Sequence, residues 1–201
     1  MQEQKKLLRQ SIISVLKSME DSYIKSESLK ASLSFTSSNL YHECNSVFLY
    51  MAMKNEADPV GILQKSRCDD KEIFIPKVTD KTSLMDFYLM DNSKNIESQL
   101  SVGMWKIKEP DISLLKKLDV SSLSCKNICM IVPGLAFSRT GVRLGRGRGF
   151  YDRYISEIKK YCNPTLIGFC LEEQCIDNIP CESHDITMDY ILTPKSFFRV
   201  S

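Results

Sequence analysis

Apolar residues recur every three or four positions at the amino end of the chain. Between Gln4 and Met19 they stand at Leu7, Leu8, Ile12, Val15, Leu16 and Met19. This spacing predicts an amphipathic helix. Its start is basic, with Lys5, Lys6 and Arg9. A second helix is predicted from about Ser26 to Tyr41.

Further along, short apolar runs alternate with amphipathic stretches. The nearly continuous apolar run Val47–Met53 is typical of a strand buried on both faces of a sheet. Asp58-Pro59 then supplies the N-cap and first-turn residues that favour a helix start. Additional strands are predicted at Glu72–Val78, Leu84–Met90, Asn127–Val132, Thr165–Cys170 and Asp189–Leu192.

The remaining segments complete an alternating pattern. Gly149–Tyr161 has helical spacing, whereas Asp91–Val120 is polar and irregular. Strands that alternate with helices predict an α/β fold with a mostly parallel central sheet and helices on both faces, in three αβα layers. The length of 201 residues fits one domain, residues 1–201.

Composition narrows the function class. With 27 Lys and Arg against 25 Asp and Glu, the net charge of +2 does not favour nucleic-acid binding. The chain has no apolar run long enough to span a membrane and no signal peptide behind its first residues, so a cytoplasmic protein is expected. The spacings of Cys125 with Cys129 and of Cys170 with Cys175 do not fit a zinc site, and the eight cysteines are expected to be reduced.

One block carries most of the chemistry. Five of the eight glycines fall between Gly134 and Gly149, and three of them alternate with arginines before Asp152. Glycines let a backbone approach a ligand closely, and arginines match phosphate oxygens with forked donors. The block leaves a predicted buried strand and enters a predicted helix, where free N–H groups favour a phosphate. It therefore predicts a polyphosphate site, with Asp152 as a ligand for a divalent cation.

Two other interpretations of the block remain open, a structural turn and a nucleic-acid contact, whereas two known nucleotide-binding motifs do not match it. It lacks the Lys-Ser/Thr pair of a P-loop, and its third glycine is misplaced for a dinucleotide fingerprint. A structural turn would also use glycines, and a short RGRG run is compatible with a nucleic-acid contact.

The block resembles the signature of the 5-formyltetrahydrofolate cyclo-ligases, also called methenyltetrahydrofolate synthetases. Other segments agree in order: Lys5-x-x-Leu8-Arg9, Tyr50 to Asp58, Ile73-Phe-Ile-Pro76, Trp105-x-Ile107-x-Glu109-Pro110 and His184-Asp185-x-x-x-Asp189-x-Ile-Leu-Thr193. The chain departs from the family pattern at Ser138, where Asp is usual, at Arg148, where Lys is usual, and at Phe150, where Tyr is common. The segment before Lys71 also lacks the usual glycine.

The resemblance implies a reaction. Members of the family convert 5-formyltetrahydrofolate to 5,10-methenyltetrahydrofolate, with ATP as co-substrate, Mg²⁺ as cofactor, and ADP and phosphate as products. Phosphorylation of the formyl oxygen makes it a leaving group for attack by N10. The expected partners are these small molecules, with no nucleic acid and no membrane, and the chain is expected to be a monomer or a weak dimer.

The resemblance also implies roles for individual residues. The nucleotide site is expected at Lys5, Arg9, Arg143, Gly145, Arg146, Gly147, Arg148, Gly149, Phe150 and Tyr151. Substrate contacts are expected at Met51, Glu56, Trp105, Arg146 and Phe150. Arg148 and Tyr151 are the expected catalytic residues, and Asp152 and Asp189 the expected Mg²⁺ ligands.

Two other functions remain possible at this stage. The departures from the family pattern fit a folate- or nucleotide-binding regulator that has lost the chemistry, which predicts ligand-dependent stabilisation without ADP release. The RGRG run fits a small RNA-binding protein, which predicts affinity that falls steeply with salt.

Overall fold

A computed structural model describes residues 1–79, 84–103, 107–123, 126–182 and 185–200. The α-helices are α1 (Gln2–Lys17), α2 (Asp21–Thr36), α3 (Asn39–Glu43), α4 (Val60–Cys68) and α5 (Phe150–Ile158). The strands are β1 (Ser46–Phe48), β2 (Glu72–Thr79), β3 (Leu84–Leu89), β4 (Leu100–Val102), β5 (Lys108–Pro110), β6 (Lys116–Lys117), β7 (Ile128–Val132), β8 (Ala136–Ser138), β9 (Arg143–Leu144), β10 (Thr165–Phe169), β11 (Cys175–Ile176), β12 (Tyr190–Leu192) and β13 (Phe197–Arg199).

The described residues form a central sheet of eight strands in the order β13-β12-β10-β7-β1-β2-β3-β6. The five inner strands, from β12 to β2, pair in parallel. Antiparallel pairs close the two edges, β13 on β12 at one end and β3 with β6 at the other. The predicted mostly parallel α/β sheet is confirmed.

Side chains of the sheet alternate between two hydrophobic cores. On β7, Ile128, Met130 and Val132 belong to one cluster, and Cys129 and Ile131 belong to the other. Helix α5 packs into the first cluster, whereas α1 to α4 contribute to the second. Because successive residues of a strand face opposite sides, the helices cover both faces in three layers.

The predicted helix from about Ser26 to Tyr41 is two helices. Helix α2 ends at Thr36, and α3 begins after Ser38, whose side-chain oxygen accepts the N–H of Tyr41 at 3.2 Å. A serine that caps the next helix competes with continuation of the first, so the single apolar pattern breaks here.

Several short strands lie outside the predicted set. Strand β1 ends at Phe48, so the apolar run that follows it leaves the sheet. The segment predicted to be irregular contains the β4–β5 hairpin and β6, and a second hairpin, β8–β9, follows β7. Strands of two or three residues are too short to show a period in the sequence. None of the helices in the described ranges is both long and apolar enough to cross a membrane.

Two side chains pack closely against the backbone of Gly168 in β10. A Cβ atom there would lie 2.5 Å from two ring atoms of Phe137, which is fully buried, and 3.1 Å from Cδ1 of Ile191. We expect Gly168→Ala to lower the free energy of unfolding by about 1–3 kcal/mol through overpacking, measured by urea denaturation.

A suppressor separates this steric effect from a change in the unfolded chain. Phe137→Leu removes the ring, so the double variant with Gly168→Ala should lose less stability than the sum of the two single losses. Strict additivity would contradict the proposed clash.

Candidate active site

A cavity of about 490 Å³ opens at the carboxyl ends of the parallel strands. Tyr50 and Met51, which follow β1, line it together with Pro133 and Gly134, which follow β7. Ligands of open α/β sheets bind at this edge. The volume is that of a site for a small molecule.

The Gly/Arg block forms one wall of the cavity between β9 and α5. Gly147 has φ of +92° and Gly149 has φ of +65°, a left-handed conformation that favours glycine. Gly149 is the N-cap of α5, so the free N–H groups of the first helical turn lie at this wall. The block therefore has the backbone geometry of an anion site.

Helix α1 lies against this wall and contributes two cations. Arg9 Nε donates to the carbonyl oxygen of Gly145 at 2.9 Å. Lys5 Nζ donates to Asp185 Oδ2 at 2.6 Å and lies 3.8 Å from the carboxylate of Glu182. The cavity is lined by all four of these residues, Lys5, Arg9, Glu182 and Asp185. Helix α1 therefore joins the glycine loop to the carboxyl-terminal segment.

Arg143 and Asp152 form an ion pair inside the block. Arg143 Nη2 donates to Asp152 Oδ1 at 2.7 Å, and Nη1 donates to the carbonyl oxygen of Pro133 at 3.3 Å. The Arg143 side chain is only 7% exposed, whereas that of Asp152 is 39% exposed. The carboxylate therefore remains accessible from the cavity while its charge is balanced from behind.

The Tyr151 hydroxyl is a buried polar group at the same place. Within the described residues it has no hydrogen-bond partner, and its ring lies 5.8 Å from the Arg143 guanidinium. Burial raises the pKa of the Tyr151 phenol well above its ordinary value, and Arg143 offsets this only in part. At neutral pH Tyr151 is a neutral hydroxyl with a proton available for a ligand oxygen.

Glu56 contacts the Gly/Arg block through Arg146. The turn that carries it includes Asn55 at φ +63°, and the Tyr50 hydroxyl donates to the carbonyl oxygen of Ala57. Glu56 Oε2 accepts the N–H of Met53 at 2.9 Å, and Oε1 accepts two donors from Arg146. Its side chain is 11% exposed.

An apolar wall completes this half of the cavity. It consists of Met51, Pro76, Val78, Met85, Ile107, Phe150 and Tyr151. Trp105, which was predicted to contact the substrate, lies outside the described residues. A flat ligand with an aromatic ring system fits a slot of this composition.

The structure brings the predicted site residues together with one exception among those it describes. Lys5, Arg9, Met51, Glu56, Arg143, Asp152 and the run Gly145–Tyr151 all line the cavity. Asp189 does not. It is exposed at the amino end of β12, where its Oδ2 accepts the N–H of Leu166 at 2.7 Å.

The structure therefore does not bring Asp189 to the cavity beside Asp152, its predicted partner as a metal ligand. Asp185, four residues earlier in the same segment, is the carboxylate that lines the cavity. Both aspartates stand in the segment that was identified from the sequence, and nothing in the residue pattern distinguishes them. The choice depends on which end of the sheet the chain has reached.

Glu109 was also missed as a wall of the cavity. It is 6% exposed, and its Oε2 lies 3.7 Å from Lys77 Nζ. A Cβ atom on Gly103 would lie 2.0 Å from the same carboxylate, so Glu109 packs directly against the backbone of the β4–β5 hairpin. The Glu-Pro pair in the sequence was the available signal.

The described residues contain no cluster of three or more metal-ligating side chains. Mg²⁺ needs fewer, because it usually binds one or two carboxylates together with phosphate oxygens and water. Asp152 and Asp185 both line the cavity, to which the start of α5 also contributes its free N–H groups, and the side chain of Asp185 is 24% exposed. This donor set fits a magnesium ion bound with a phosphate ligand.

Ser138, where the family usually has Asp, belongs to a turn rather than to the cavity. Its Oγ accepts the N–H of Val142 at 3.0 Å and forms a hydrogen bond with Thr140 Oγ1 at 2.8 Å. It is 1% exposed and is absent from the cavity wall. The hydroxyl performs the local capping that a carboxylate would perform in the same turn.

Comparison with known proteins finds similarity along almost the whole chain. A model of the 5-formyltetrahydrofolate cyclo-ligase family matches residues 1–194. A probable 5-formyltetrahydrofolate cyclo-ligase of Schizosaccharomyces pombe is 30% identical over 205 residues and covers 97% of each chain. The 5-formyltetrahydrofolate cyclo-ligase of Saccharomyces cerevisiae is also 30% identical and covers 94% of each.

A solved structure supports the same similarity. The 5,10-methenyltetrahydrofolate synthetase of Aquifex aeolicus superposes with a TM-score of 0.79 at 25% identity. The match covers 98% of this chain and 92% of that one.

The Ser138 turn gives a stability prediction. Ser138→Ala leaves the buried N–H of Val142 without its side-chain acceptor, so we expect a loss of about 1–3 kcal/mol in the free energy of unfolding. Thr140→Ala is the matched control, because Thr140 is exposed and Ser138 keeps its bond to Val142; its effect should stay within about 0.5 kcal/mol. Equal losses in urea denaturation would show that the turn does not depend on this acceptor.

Proposed function

Because this chain belongs to the 5-formyltetrahydrofolate cyclo-ligase family, we propose that it converts 5-formyltetrahydrofolate to 5,10-methenyltetrahydrofolate with hydrolysis of ATP to ADP and phosphate. The observation that carries this proposal is that one cavity joins an anion-binding wall to an apolar wall. The first wall suits a triphosphate, and the second suits the fused rings of a folate.

The chemical problem is the poor leaving ability of a formyl oxygen. In the proposed reaction this oxygen attacks the γ-phosphorus of ATP, the bond to the β–γ bridging oxygen breaks, and ADP leaves. N10 then attacks the activated formyl carbon and loses its proton. The carbon–oxygen bond breaks as phosphate departs, and the cation is shared between N5 and N10.

Positioning and charge neutralisation dominate a phosphoryl transfer of this kind. The free N–H groups at the start of α5 would bind phosphate oxygens, and Lys5, Arg9 and Arg148 would balance their charge. Asp152 and Asp185 would hold Mg²⁺, which when bound supplies further neutralisation of the phosphates.

Tyr151 is suited to the reacting end of the cavity. Its neutral hydroxyl is buried beside Arg143, so it can donate a hydrogen bond to an oxygen that gains negative charge. A donor that is already oriented before the reaction stabilises such charge without rearrangement. We assign Tyr151 to the formyl oxygen, which ends in the phosphate product, and Arg148 to the phosphate that leaves.

The geometry supports this function over the two alternatives. Two arginines of the block bind carboxylates of the cavity, Arg143 with Asp152 and Arg146 with Glu56, which a solvated basic arm would not do. The Ser138 departure, which motivated a regulator without chemistry, lies in a turn away from the cavity wall.

The direct test is an activity assay. Purified protein should convert 5-formyltetrahydrofolate to the methenyl product, seen as a new near-ultraviolet absorbance, only when ATP and Mg²⁺ are both present. Asp152→Asn should lower turnover by about tenfold or more. Loss of even an outer partner of a metal ligand typically costs that much. Ligand-dependent stabilisation without product would favour the regulator instead.

The two aspartates of the closing segment provide a sharper test of the metal site. Asp185→Asn should raise the Mg²⁺ concentration needed for half-maximal turnover by about 10- to 100-fold. Asp189→Asn is the matched control, since an amide oxygen can still accept the N–H of Leu166. A Mg²⁺ requirement that shifts with Asp189→Asn and not with Asp185→Asn would reverse the assignment.

A further inference from the structure

Glu56 is expected at the folate and Arg146 at the nucleotide as well as the folate, yet the two side chains bind each other. Arg146 Nε and Nη2 donate to Glu56 Oε1 at 3.0 and 2.8 Å. The second oxygen, Oε2, accepts the N–H of Met53 at 2.9 Å. Both oxygens of the carboxylate are therefore engaged.

This pairing is incompatible with simultaneous use of both residues. A carboxylate that binds the paired N–H donors of a pterin edge uses both of its oxygens, and Oε1 of Glu56 already accepts two donors from Arg146. The Arg146 guanidinium likewise cannot point its donors at a phosphate while it holds Oε1. Each residue must release the other before it can contact its substrate.

The two partners differ in how firmly they are held. Glu56 sits in a turn fastened by the Tyr50 hydroxyl, and its side chain is 11% exposed. The Arg146 side chain is 41% exposed, although its backbone lies beside Gly145, whose oxygen is held by Arg9. The guanidinium is thus the partner that can swing within the loop while the carboxylate stays in place.

We propose that Arg146 is a positioning residue that couples the two substrate sites. It balances the charge of Glu56 while the folate half of the cavity is empty, and folate binding at Glu56 releases it to the phosphates of the nucleotide. The proposal rests on the proposed function and adds to it a coupling between the binding of folate and of nucleotide.

The coupling follows from the charge balance. A nucleotide that binds alone must either leave Arg146 on Glu56 or take it away, and the second choice leaves a mostly buried carboxylate without its cation. A folate already bound at Glu56 supplies the replacement donors. Nucleotide affinity is therefore higher when folate is present, and by linkage folate affinity is higher when the nucleotide is present.

The test measures nucleotide affinity with and without folate. A non-hydrolysable ATP analogue with Mg²⁺ is titrated calorimetrically into the wild-type protein alone and in saturating 5-formyltetrahydrofolate. We expect folate to tighten binding about fivefold or more, the lower end of common coupling factors. Arg146→Ala should weaken nucleotide binding in the presence of folate and reduce the coupling factor to about one.

Two further variants separate coupling from simple phosphate binding. Arg148→Ala is the matched control, because Arg148 lies in the same loop but the pair with Glu56 is formed by Arg146. This variant should weaken nucleotide binding and keep the coupling factor. Glu56→Gln removes the charge that holds Arg146, so it should tighten nucleotide binding in the absence of folate. A residue that only contacted folate would leave that value unchanged.

The outcomes are distinguishable. If the wild type turns over and binds both ligands, but its nucleotide affinity is the same with and without folate, the coupling is wrong and the proposed function stands. Coupling that persists in Arg146→Ala, or a Glu56→Gln variant with unchanged nucleotide affinity, would also overturn it. Absence of both turnover and folate binding would overturn the proposed function and the coupling together.

Discussion

The candidate active site depends on the pairing of four cavity carboxylates with cations. Asp152 meets Arg143, Asp185 meets Lys5, Glu56 meets Arg146 and Glu109 meets Lys77. A carboxylate buried without such a partner would be expensive, and removal of one partner leaves the other uncompensated. The pairs allow a cavity of about 490 Å³ to contain both the cations that suit phosphates and the carboxylates that suit a metal and a donor-rich ring.

These pairs also hold distant parts of the chain together. The Lys5–Asp185 contact spans 180 positions, and the Arg146–Glu56 contact spans 90. With the bond from Arg9 to the carbonyl oxygen of Gly145, they fasten α1 and the closing segment to the glycine loop. In the proposed coupling, the Arg146–Glu56 pair exchanges partners when the folate binds. The same contacts therefore organise the cavity and define which groups must move when ligands bind.

The sheet decides where this can happen. Five inner strands run in parallel, so the segments after β1 and β7 emerge at one edge, and Glu56 and the glycine block meet there. Asp189 precedes β12 at the other edge and remains with the backbone of Leu166. Strand direction thus separates two aspartates that stand four positions apart.

The sequence by itself determined the α/β class and the inner strands, because buried runs and helical spacing are local patterns. Its alternating glycines and arginines predicted a phosphate site. It also placed Lys5, Arg9 and Glu56 in the site through the family motifs. Only the tertiary structure decided that Asp185 rather than Asp189 reaches the cavity and that Arg146 binds Glu56. Those facts depend on strand direction and on contacts between side chains far apart in the chain, and neither leaves a periodic signal in the order of residues.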